Sequence, residues 1–209
     1  MSFGDAFKRP FQDFKSLLIG IVIMIIPIVN FIGMGYVLRC AKSAIRRDFK
    51  LPVWEHWGDL FVKGLVMAVI GIIYMIPAII VLLITGLSIL PQLSGMISGG
   101  VTPGLMQIIS TGGIGILVTI IVGFIFGLIG SAAIIRYAEK ESFGAAFEVG
   151  AIVKKAFTGT FFAAWLVGAI YFGILFAILS MIPFIGTAIA MFIGFVTFFT
   201  LIAEAYGKM

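Results

Sequence analysis

Charge is what this chain has least of: 14 basic and nine acidic side chains among 209 residues, 11% in all. So few charges cannot solvate a globular surface, which excludes a soluble enzyme, and they cannot form the basic platform that nucleic acid requires. Cysteine is nearly absent too. Cys40 has no intrachain partner, so there is no disulfide framework, and one histidine, His56, without other soft ligands argues against a zinc site. No catalytic, metal or cofactor motif is legible, and no cofactor is expected.

What the chain has instead is apolar surface: 62% of its residues are hydrophobic and the mean hydropathy is +1.24. That composition belongs in lipid. Five runs stand out, Leu17 to Leu38, Gly64 to Leu90, Ile114 to Ile135, Phe161 to Ile182 and Phe184 to Ala203. Each is near the roughly 20 residues that cross a hydrocarbon core. The expected fold is all-α, a polytopic integral membrane helical bundle in one membrane domain, 1–209. It comprises four full transmembrane helices, an N-terminal Pro-broken hairpin and two amphipathic interfacial helices.

The basic residues choose the orientation. Lys8, Arg9 and Lys15 precede the first run; Arg39, Lys42, Arg46, Arg47, Lys50 and Lys63 follow it; Arg136, Lys140, Lys154 and Lys155 separate the third from the fourth; Lys208 comes last. The connections at Pro91 to Gly113 and around Pro183 hold none, so the charged ones read as cytoplasmic and the uncharged ones as external. A single crossing from Leu17 to Leu38 would place Lys8, Arg9 and Lys15 outside. Pro27, with Asn30 nearby, offers a tight turn that makes this run a re-entrant hairpin with both termini cytoplasmic in the plasma membrane. The alternative is one kinked helix with an external N-terminus, and the charge distribution favours the hairpin. A weak internal repeat (2–38 and 142–203) points the same way. Ser2-Phe3-Gly4-Asp5-Ala6-Phe7 recurs as Ser142-Phe143-Gly144-Ala145-Ala146-Phe147, and each copy leads to an apolar run broken at Ile-Pro, at Pro27 and at Pro183.

At about 100° per residue Phe3, Ala6, Phe7, Pro10 and Phe14 share one side and Asp5, Lys8, Arg9 and Lys15 the other. Phe143, Phe147, Val153 and Phe157 similarly oppose Glu141, Glu148 and Lys155. Both segments read as interfacial helices. Lys8, Arg9, Arg39, Arg46 and Arg47 then serve as interface anchors that set topology, and the functional alternative is recognition of anionic lipid by Lys8, Arg9, Lys42, Arg46 and Arg47. In Leu51-Pro52-Val53-Trp54-Glu55-His56-Trp57-Gly58-Asp59, Trp54 and Trp57 face one way on a helical turn and read as further anchors. Glu55, His56 and Asp59 could be written as an acid/base cluster, but no nucleophile or oxyanion donor set accompanies them.

Gly35-Tyr36-Val37-Leu38-Arg39, Leu51-Pro52-Val53-Trp54, Trp57-Gly58-Asp59, Gly64 and Pro10-Phe11-Gln12-Asp13 together resemble the signature of a family of small archaeal and bacterial multi-pass proteins called domain of unknown function 4013. The resemblance covers nearly the whole length and implies an archaeal source. The Ser-Phe-Gly-x-Ala-Phe openings are similar, more weakly, to membrane domains attached to some glycerophosphodiester phosphodiesterases. Neither supplies a catalytic residue.

The spans hold no ionisable group at mid-depth, which disfavours a proton-coupled pump. They hold small residues instead: Gly123 and Gly127 form a GxxxG pair, and Gly186, Ala190 and Gly194 repeat the same spacing, as helix packing requires. Pro77 is expected to break or kink the second span. The leading expectation is a non-enzymatic membrane scaffold or accessory subunit, in contact with membrane lipids and with copies of itself or another membrane protein. The alternatives are a channel or carrier for an uncharged or lipid-like solute and, further off, a lipid-modifying enzyme using Glu55, His56 and Asp59.

Overall fold

The computed structural model describes residues 4–99, 101–183 and 185–208, with side chains described outside 91–111. Among the described residues every regular element is helical. Helix α1 (Gly4–Lys8) gives way to a 3-10 turn (Arg9–Phe11), because Pro10 has no amide hydrogen with which to continue the α-helix. Asp13 then caps α2 (Phe14–Ile25), its carboxylate accepting the amides of Lys15 and Ser16 at 3.2 and 3.1 Å. The chain turns at Pro27, where Ile28 takes φ 71°, a costly conformation for a β-branched residue. It returns as α3 (Asn30–Ile45). This helix ends in a Schellman motif: Arg47, at φ 61°, donates its amide to Ala44 O, and Asp48 donates to Ser43 O, both at 2.9 Å.

Two long helices follow, α4 (Trp57–Gly99) and α5 (Val101–Lys140). After a 3-10 segment (Phe143–Phe147) come α6 (Val149–Ala156), α7 (Gly159–Leu179) and α8 (Gly186–Gly207). Among the described residues four stretches are long and apolar enough to cross a membrane: Trp57–Leu90, Gly112–Lys140, Gly159–Leu179 and Gly186–Gly207. This is a multi-pass membrane protein of helical architecture. The stretches Gly4–Ile45 and Phe143–Gly207 each have a short helical prelude followed by two helices joined at a turn that contains a proline.

Two expectations are corrected here. Pro77 does not break its span, since α4 runs through it without interruption. Proline removes one backbone bond, and apolar surroundings offer the rest of the backbone no partner but the helix itself. The stretch 91–113, expected to be a connection, is helical at 91–99 and 101–113 for the same reason. The side chains of 91–111 lie outside the described ones.

The chain divides into two compact units, Gly71–Gly130 and the remainder (Met1–Ile70 with Ser131–Met209). In the smaller one α4 and α5 pack antiparallel, with Gly115 beside Thr85, Gly123 beside Ala78 and Gly130 beside Tyr74. A methyl at Gly115 or Gly130 would overlap its neighbour. At Gly123 it would lie 3.8 Å from Ala78 Cβ, an ordinary contact, so Gly115 and Gly130 are tighter points of this seam than Gly123.

In the larger unit α8 is the hub. It packs against α7, α3, α2 and the N-terminal turn. The most apolar window of α8 is 72% buried, against 17% for α4 and 11% for α5 and α7. Helices α7 and α8 interlock reciprocally: the Phe172 ring of α7 seats over Gly194, and the Phe198 ring of α8 over Gly168. Ala190 of α8 is fully buried, and Gly186 lets the turn close against Leu179 O. The α3–α4 crossing is tighter still. Gly35 faces the carbonyl oxygen of Leu60 and Gly64 that of Phe31, so closely that a Cβ on either would collide with backbone.

Candidate functional site

Arg9 is the centre of the charged end of the larger unit. Its side chain is 0% exposed, and its guanidinium donates to Cys40 O at 2.8 Å, Thr200 Oγ1 at 3.0 Å, Ser43 Oγ at 2.5 Å and Lys50 O at 3.0 Å. It thereby ties the N-terminal turn to α3, to the loop after α3 and to α8. All four acceptors are neutral, Nε has no partner, and among the described residues no carboxylate pairs with this cation. The expectation that Arg9 anchors the interface beside Lys8 is therefore corrected. The 3-10 turn forced by Pro10 rotates Arg9 off the charged face of α1, while Lys8 stays exposed.

The loop after α3 folds back onto it. Tyr36 Oη donates to Pro52 O at 2.9 Å, and the Trp54 indole stacks on the Tyr36 ring at 3.8 Å with the planes 1° apart. Phe192 of α8 lies beside the pair, 6.1 Å from Tyr36 and 6.2 Å from Trp54. Trp54 is thus a half-buried packing residue rather than a free anchor, while Trp57 remains 45% exposed. Arg39 holds this loop from the other side by donating to Val53 O and Glu55 O, each at 3.1 Å.

Around α3's last turns the charges form a network. Arg39 reaches Asp59 at 3.7 Å; Lys63 reaches Asp59 at 2.9 Å and Glu141 at 2.7 Å; Lys42 reaches Glu141 at 2.6 Å. The two lysine hydrogen bonds, Lys42's first, hold the Glu141 carboxyl at about 2, well below its usual value. Further along, Arg136 and Lys140 both grip Glu148 and lower its pKa in the same way. Lys155 lies 3.7 Å over the Tyr206 ring.

Two cavities open in this network. One of about 270 Å³ is lined by Arg39, Lys42, Ser43, Arg46, Asp48, Lys50, Leu51 and Pro52. Its neighbour, about 180 Å³, is lined by residues including Arg39, Lys42, Lys63, Tyr137 and Glu141. The fold therefore brings Arg39 and Arg46 of the expected anchors to one cavity and leaves Lys8 and Arg47 exposed elsewhere. Of the acid/base trio, Asp59 is held by Lys63 and Arg39, Glu55 lends Arg39 its backbone oxygen, and His56 stands exposed. Ser43, Lys50, Thr200 and Glu141 carry roles the residue patterns did not expose. Pro10 was the available signal, since a break there ends the 100° periodicity that had put Arg9 on the outer face.

Fold and site together define a small helical membrane protein whose polar groups gather at one end of its larger unit. The chain belongs to the family described as "Protein of unknown function (DUF4013)", which matches residues 18–184. Several residues that carried the resemblance have a physical role in this fold: Gly35 and Gly64 form the α3–α4 crossing, and Tyr36, Pro52 and Trp54 form the loop clasp. No curated protein and no solved structure matches the chain.

Proposed function

We propose that the protein is a non-enzymatic integral membrane scaffold or accessory subunit, packing with copies of itself or with another membrane protein and contacting lipid around it. One observation carries this reading: three of the four spans bury only 17%, 11% and 11% of their most apolar windows. Faces so bare need lipid tails or partner helices. The span hydroxyls add support. Thr85 and Thr119 donate back to Val81 O and Gly115 O of their own helices, both at 2.8 Å, an arrangement that solvates no path.

In the same proposal the charged end is cytoplasmic in the plasma membrane of an archaeal cell, and α2 with α3 is re-entrant. Twelve residues of α2 rise only about 18 Å, short of a core about 30 Å thick. An impermeant maleimide applied to intact cells tests the topology in Ser2→Cys. Cys40, the native thiol, is fully buried and leaves a silent background. Labelling is expected only after permeabilisation, and labelling from outside would reject the hairpin. The scaffold itself is tested by native mass in lipid nanodiscs, where a bare monomer without partner would count against it.

A carrier of an uncharged or lipid-like solute is favoured by one observation, the buried Oδ1 of Asn30 beside the Pro27 turn, which has no partner. Solute accumulation driven by a pH or sodium gradient in vesicles, and lost in Asn30→Leu, would promote that reading over the scaffold.

A further inference from the structure

We propose that the 270 Å³ cavity at the end of α3 binds a phosphate group, as a phospholipid headgroup or as free phosphate, with the buried Arg9 supplying charge from behind. This deepens the lipid contact in the scaffold reading and rests on it for the headgroup source.

The first argument is electrostatic. A fully buried guanidinium surrounded only by neutral acceptors has lost its hydration without gaining a counter-ion, and such a charge is costly to keep. The carbonyl end of α3 offsets part of this, but a helix terminus carries only about half a charge. Two of Arg9's acceptors, Ser43 and Lys50, are themselves walls of the cavity. An anion placed there lies one residue away from the unpaired cation.

The second argument is the charge of the walls. Arg39 and Lys42 are turned to Asp59 and Glu141, and Asp48 Oδ1 accepts the Lys50 amide at 3.1 Å. The side chains of Arg46 and Lys50 have no carboxylate partner among the described residues, and both residues are exposed to an arriving ligand. The cavity thus carries an excess of positive charge, with a planar guanidinium suited to two phosphate oxygens.

The third argument is the hydroxyl. Ser43 Oγ accepts from Arg9 and donates to Cys40 O at 3.0 Å. Turning its hydrogen toward a phosphate oxygen keeps the Arg9 bond and connects the buried charge to the ligand. At about 30 Å³ per water, the cavity has room for a phosphate and its remaining hydration.

The test is thermal melting of the full chain in a neutral maltoside detergent, titrated separately with inorganic phosphate and with dihexanoyl phosphatidylglycerol, at ionic strength fixed with chloride. Stabilisation by the lipid alone supports the headgroup, and stabilisation by both supports the phosphate group in general; no stabilisation by either overturns the site. Arg46→Gln with Lys50→Gln is expected to raise the half-saturating concentration about tenfold or more. Lys8→Gln with Lys15→Gln, removing equal charge away from the cavity, is expected to leave it unchanged. Equal losses in both pairs would mean diffuse surface attraction and sink the proposal. Native mass is read on the same samples, so a lost response at unchanged assembly rejects this inference and not the scaffold.

Discussion

The Arg9 guanidinium donates to the carbonyl oxygen of Cys40 at 2.8 Å, across 31 residues of chain. That bond closes the hairpin: it joins the turn before α2 to the last turns of α3, and the same fork reaches Thr200 on α8. Arg9→Lys keeps the charge but offers three donors from one point where four acceptors surround a plane. At least one buried acceptor is then left unserved, and the expected cost is about 1–3 kcal/mol. A lowered melting midpoint in detergent checks it, and an unchanged midpoint would mean the fork adds nothing to the closure.

At the α3–α4 crossing the obstacle to a side chain is backbone, which cannot rotate away. Gly35→Ala and Gly64→Ala are each expected to force the helices apart and to cost about 1–3 kcal/mol or more. Gly173 has nothing within 4 Å of where its Cβ would lie, so Gly173→Ala is expected to be neutral or slightly stabilising. Comparable melting of all three variants would contradict the crossing as described.

Glu141 makes stability depend on pH in a defined window. Its folded pKa, about 2, lies below the ordinary 4.5, so the unfolded chain binds the proton first as pH falls. The contribution is complete above about 4.5 and is lost on descending toward about 2. The side chain is 43% exposed, so the effect is modest. Glu141→Gln is expected to reduce the slope of melting temperature against pH in that window, with a residue left by Glu148, whose pKa is lowered by Arg136 and Lys140. A slope identical to the parent's would remove Glu141 from the account.

Composition and spacing sufficed for the four spans, because crossing lipid is a local demand: some twenty apolar residues that satisfy their own backbone. They also sufficed for the turns at Pro27 and Pro183, where a missing amide acts within one helical turn. The helix at 91–99 was not legible, since glycine and proline signal loops in water and not in an apolar setting. Gly35 and Gly64 were visible among the residues that carry the family resemblance, but their reason, a crossing of two backbones, was not.

Arg9 shows the division most clearly. In the chain its charge is indistinguishable from that of Lys8, and both read as markers of the cytoplasmic face. Only the tertiary structure puts one in solvent and the other among Cys40, Ser43, Lys50 and Thr200. Those partners come from separate segments that meet only when α8 is enclosed. Burial of a charge depends on all of them at once, so no local pattern could announce it, whereas the hydrophobicity that selects a membrane accumulates residue by residue along the chain.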